Sequence, residues 1–133
     1  MSDGSITHVA SQDEPLARFL CSSSWFSRES GRVKYSAFMP RNGATSVFRV
    51  AGLDDLEVWE IGLRLVATPS GRNLHGHAAL QVAHVESCRL IIRTDDSPPR
   101  HAEIRGWPEE KGAQRFAAER LAADSVLRLP AGA

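Results

Sequence analysis

The 133 residues carry sixteen basic and sixteen acidic side chains, with 42% hydrophobic and 24% charged residues. That length and balance predict one domain with a single modest core and exclude a disordered or fibrous chain. A formal charge of zero excludes the one-signed field that draws dedicated nucleic-acid binders or membrane-surface proteins to their targets, so nucleic acid is an unfavoured partner.

In chain order, residues 1–12 are polar and aperiodic and predict a flexible lead-in to a domain over 13–130. Asp3 stands where a secretory signal would be positively charged, and no apolar block follows it; a cytoplasmic protein is the expectation. Asp13, Glu14 and Pro15 have the composition of a first helical turn, predicting a short helix through Leu16, Phe19 and Leu20. Cys21 to Arg32 reads as a Ser-rich loop anchored by Trp25 and Phe26. Without a secretion signal, Cys21 and Cys88 are expected to remain thiols.

Val33 to Met39 alternates as a strand does, Pro40, Asn42 and Gly43 supply a turn, and Thr45 to Val50 is β-rich; together they predict a hairpin. Asp54 and Glu57 stand at capping-box spacing before a helix whose stripe is Leu56, Trp59, Leu63 and Val66, widened by Val58, Ile61 and Leu65. A turn-rich connection over 68–76 leads to a strand through Ala78, Leu80 and Val82. Arg89 to Thr94 contains the run Leu90, Ile91 and Ile92, which predicts a central strand buried on both faces; such runs fall far short of the roughly 20 residues needed to cross a bilayer. His101 to Arg105 alternates with Ala102 and Ile104 inward. Pro108, Glu109 and Glu110 predict the start of a last helix with Ala113, Phe116, Ala117 and Leu121 on its apolar face. Val126 to Leu129 completes the pattern as a short strand. The sum is an α+β fold: a mixed or antiparallel sheet of about five strands with two main helices packed on it.

The sequence lacks a phosphate-binding glycine loop, a dinucleotide fingerprint, a nucleophile elbow and a paired Cys-x-x-Cys, so no bound cofactor is expected. His75 and His77 would share a face in a strand, but a metal site would still need a third ligand from His84 or His101, and loop histidines are the simpler reading; no metal is expected. His101, beside Arg100 and on the face of Glu103 and Arg105, is the candidate general acid or base. Ser24 and Ser27, with Lys34 following and Arg49 on the next β-rich run, supply hydroxyls and cations suited to a phosphate. Trp25 and Trp107 lie in loops next to these groups, where an aromatic ring offers a stacking surface.

The segments Ser23-Ser24-Trp25-Phe26-Ser27, 33–40, Ser46-Val47-Phe48-Arg49 and 101–108 resemble those of a group of small uncharacterised bacterial proteins. The resemblance covers most of the chain, implies a bacterial domain and supplies no activity. In that group the position of Trp25 looks more often like histidine. The likeness points to Ser24, Ser27, Lys34, Arg49 and His101 as parts of one site. The leading expectation is a small accessory or binding module that works with a protein partner and recognises a phosphate-bearing ligand through Ser24, Ser27, Lys34, Arg49 and Trp107. One alternative is a transferase or hydrolase acting on a nucleotide or nucleic acid through His101. Another is a structural subunit of a larger assembly, as a homo-oligomer or with other proteins.

Overall fold

The computed structural model describes residues 11–130. In chain order these form β1 (Pro15–Leu20), a 3-10 turn (Ser23–Trp25), β2 (Phe26–Ser27), β3 (Arg32–Val33), a second 3-10 turn (Tyr35–Ala37) and β4 (Thr45–Arg49). Then follow α1 (Asp55–Ile61), a π-helical stretch (Gly62–Ala67), α2 (Thr68–Ser70), β5 (Gly76–Gln81) and α3 (Val82–Ser87). The remainder is β6 (Ile91–Thr94), β7 (His101–Arg105), α4 (Lys111–Asp124) and β8 (Val126–Arg128). Six strands make one antiparallel sheet in the order β6-β7-β4-β1-β5-β8, while β2 and β3 form a separate ribbon. The α+β class holds, with six strands in the main sheet.

The first strand is the largest departure from the sequence reading, which placed a helix there. β1 lies in the middle of the sheet, paired with β4 and β5. Leu16, Ala17, Phe19 and Leu20 are all buried, because the strand is covered on both faces and Arg18 is the one charged side chain it carries. A run of that kind mimics a short buried helix in periodicity. Most of the expected lead-in, residues 1–10, lies outside the described residues. Gln12 is already docked, its carbonyl accepting the Ala83 N–H at 2.7 Å.

The two faces of the sheet carry separate apolar clusters. Leu16, Leu20, Val47, Leu80 and Ile104 face α4, α3 and the 21–39 segment, which contributes Phe26, Val33 and Phe38. Ala17, Phe19 and Phe48 face α1 and the π-helical stretch, through Val58 and the flanking Ile61, Leu65 and Val66.

The capping box opens α1 as expected: Asp54 Oδ1 accepts the Glu57 N–H at 2.8 Å, and Glu57 Oε1 accepts the Asp54 N–H at 3.0 Å. The stripe is rotated, however. Val58, Ile61 and Leu65 face the sheet, whereas Leu56 is 70% and Leu63 40% exposed. Gly62 lies over the Phe19 ring so closely that a Cβ would stand 2.5 Å from Cδ1. Pro69 has no N–H to return to Leu65, which fits the wider π turn adopted before it.

The hairpin expected from 33–50 does not form. The turn itself is present, with Asn42 and Gly43 at positive φ between the bridged Arg41 and Ala44. Its first arm bends into the 3-10 turn, because the carbonyls of Ala37 and Phe38 accept bonds from Arg18 and Thr45 side chains. β4 pairs instead with β1 and β7. β6 is an edge strand with alternating burial and Ile91 56% exposed, not the central strand expected. α4 starts at Lys111 rather than Pro108, whose carbonyl accepts Gln114 Nε2; Phe116 is exposed and Ala118 and Ala122 join Ala117 and Leu121 inside. Cys21 and Cys88 are free thiols. No helix of the described residues is long and apolar enough to cross a membrane.

Candidate functional site

Arg18 alternates with Leu16 and Leu20 along β1 and projects to the same face of the sheet, opposite Ala78. Its guanidinium is held where it crosses the segment above: Nε donates to the Ala37 carbonyl at 2.7 Å and Nη1 to the Ser46 carbonyl at 3.0 Å. The Trp25 ring covers it at 4.9 Å. It forms the floor of a cleft of about 500 Å³. Trp25, Tyr35 and Ser36 make one wall, Arg41 stands at the end, and Lys111, Gly112 and Arg115 close the other side from the first turn of α4. Arg115 stacks over Tyr35 at 4.3 Å while pairing with Glu119 one turn on.

Among the described residues four cations and no carboxylate line this space, in a chain of zero net charge. Arg18 registers the imbalance. Burial pushes its pKa down to about 10; Cys21 opposes that shift, while the charges of Arg41 and Arg72 add to it. It is still a cation at neutral pH. Among the described residues no carboxylate reaches ion-pair distance of Arg18, Arg41 or Lys111. An anion in the cleft would relieve this mutual repulsion and accept charge-assisted hydrogen bonds, and the two aromatic rings give the walls a planar, apolar character.

The residues singled out from the sequence do not make one site. Arg49 is occupied: Nε lies 2.6 Å from Glu14 Oε2 and Nη2 3.1 Å from Oε1. His101 pairs with Phe48, the residue before Arg49, so the two side chains leave opposite faces of the sheet. Ser24 Oγ shares a hydrogen bond with Ser22 Oγ, and Ser27 Oγ accepts the Ser30 N–H, both within their own loop. Lys34 is exposed, and its backbone N–H donates to the Trp25 carbonyl, bracing the wall of the cleft. Trp107 donates Nε1 to the Ile104 carbonyl and packs against the core. His75 and His77 contact Phe26 and Phe19 respectively, in different clusters, and are not the side-by-side pair that a strand over both would give.

Arg18, Tyr35, Arg41, Lys111 and Arg115 escaped the sequence reading because they come from separate segments. The one local signal was Arg18, a cation between two leucines at strand spacing, and it was hidden by reading that stretch as helix. Compared with known proteins, the chain matches no family model, no curated protein and no solved structure.

Proposed function

We propose that this protein is a binding module for a phosphate-bearing ligand of about mononucleotide size, taken in the cleft above Arg18, and that it serves a protein partner in a bacterial cell. The observation that supports this most directly is the set of four cations facing one space with no acidic residue lining it among the described residues. A volume of about 500 Å³ suits a small molecule rather than a folded partner. Arg18 Nη2 and the two terminal nitrogens of Arg115, which take no part in the bonds to Ala37, Ser46 and Glu119, are the donors for phosphate oxygens; Lys111 adds a mobile point charge, and the first turn of α4 adds the positive end of its dipole. Trp25 and Tyr35 favour a ligand with a flat apolar part.

Titration calorimetry with inorganic phosphate, pyrophosphate and adenosine monophosphate tests this reading. Measurable heat with at least one of them is expected, with affinity falling about tenfold or more in Arg18→Gln and in Lys111→Gln, as loss of a charge-assisted bond requires. Silence with all three at millimolar concentration, or equal affinity in both variants, would overturn it. Arg49 and His101, two of the groups on which the enzymatic alternative draws, leave opposite faces of the sheet and share no cleft.

A further inference from the structure

The face of the sheet turned away from the cleft carries a second group of chemically capable side chains. Cross-strand partners share a face, so the pairs Phe48 with His101, Ser46 with Glu103 and Arg93 with Glu103 place Ser46, His101 and Arg93 together on it. His101 Nδ1 lies 2.8 Å from Asp95 Oδ1, and Nε2 lies 3.2 Å from Ser46 Oγ. The imidazole is only 12% exposed and its edge meets the Phe48 ring at 5.4 Å, whereas Ser46 is open to solvent. Asp95 also accepts the Ser97 N–H at 3.1 Å. Burial alone would raise the pKa of its carboxyl, but the hydrogen bonds from His101 and Ser97 outweigh that and hold it below the usual range. A carboxylate on Nδ1–H leaves Nε2 bare, the tautomer needed to take a proton from serine.

We propose that Asp95, His101 and Ser46 form a nucleophilic site that hydrolyses small carboxylic esters, independent of the basic cleft. As His101 Nε2 takes the hydroxyl proton, Ser46 Oγ bonds to the ester carbonyl carbon. The carbon–oxygen bond to the leaving alkoxide then breaks, and the imidazolium returns the proton to it. Water repeats the sequence on the acyl-serine, releasing the carboxylic acid and restoring Ser46. Asp95 stays ionised throughout and fixes the ring. The backbone N–H groups beside Ser46 belong to a sheet ladder, and the nearest cross-strand neighbour of Ser46 is Glu103, itself held by Arg105, with Arg93 one strand further on the same face. Arg93 stands two strand spacings from Ser46, about 9.5 Å between Cα atoms, and no carboxylate among the described residues pairs with it.

The test uses the full chain with p-nitrophenyl acetate and a fluorophosphonate probe, read by p-nitrophenol release and by peptide mass mapping. One covalent adduct on Ser46 is expected, absent in Ser46→Ala. Its rate should fall about 100-fold or more in His101→Gln and at least about tenfold in Asp95→Asn. Absence of the Ser46 adduct, or an adduct formed at the same rate in His101→Gln, overturns the proposal. Because His101 also braces the 95–100 loop, Ser46→Cys serves as a second probe that keeps every other residue. Its thiol should react with iodoacetamide at pH 7 at least about tenfold faster than Cys21 and Cys88, whose pKa values burial pushes up. Reaction no faster than those two thiols would equally sink the idea.

Discussion

Glu14 holds Arg49 with both carboxylate oxygens, at 2.6 and 3.1 Å, at the edge of the core where β1 runs beside β4. The glutamate side chain is 8% exposed and the arginine 24%, so either charge would be poorly solvated alone. Glu14→Gln should destabilise the fold by about 1 to 2 kcal/mol in urea unfolding, because a part-buried cation loses its charged partner while solvent still reaches it. Arg49→Lys should cost about 1 to 2 kcal/mol through loss of the bidentate fork. Neither is expected to change pyrophosphate affinity by more than about twofold, since neither side chain lines the cleft.

Trp25 shields the guanidinium of Arg18 on its way into that cleft. Trp25→Ala should release about 1 kcal/mol of cation–π contact and lower pyrophosphate affinity about fivefold by letting Arg18 move. Unchanged affinity by calorimetry would show that the two hydrogen bonds to Ala37 and Ser46 position Arg18 by themselves.

His77 gives the fold a pH dependence whose sign follows from its burial. Desolvation beside Phe19 pushes its pKa down to about 4, against an opposing pull from Asp55 and with a small push from Arg128. It is therefore neutral in the folded chain at pH 7. Between pH 6.5 and 4 the unfolded chain takes up a proton that the folded chain refuses, so stability falls as pH falls through that window. The loss should approach about 2 to 3 kcal/mol, since each tenfold change in proton affinity is worth about 1.4 kcal/mol and partial exposure reduces the total. His77→Phe should flatten the curve of urea midpoint against pH across the same interval.

Gly62 and Phe19 are fitted to each other. A methyl at 62 would stand 2.5 Å from Phe19 Cδ1 and 2.6 Å from Cε1, so Gly62→Ala should destabilise by about 2 kcal/mol through overpacking. The double variant Gly62→Ala with Phe19→Leu should recover part of that loss in thermal unfolding. Gly76→Ala should have no comparable rescue, because its added methyl meets the Arg128 carbonyl at 2.4 Å, a backbone atom.

What was legible in the sequence is what local chemistry fixes. The Asp54 and Glu57 box, the Asn42-Gly43 turn and the alternation of Ala102 and Ile104 each report their own surroundings, and each is present. β1 was not legible, because the property that defines it, burial on both faces by partners far along the chain, removes the alternation that would announce a strand. The rotation of α1 follows from Gly62 meeting Phe19, a tertiary contact. The same reason hid the cleft and the array on the opposite face. Ser46, Asp95 and His101 are brought together by strand order, and Arg18 meets Lys111 only because α4 returns over the face that β1 presents.

The position of β1 also bears on how the chain assembles during translation. The ribosome delivers this strand well before its flanking partners, which arrive only with residues 45–49 and 76–81. Until then a segment apolar but for Arg18 has no strand to pair with, and pairing across such separations is slow. The nascent protein thus passes through a stage at which this largely apolar strand is bare on both edges, the stage most open to chaperone capture or to aggregation.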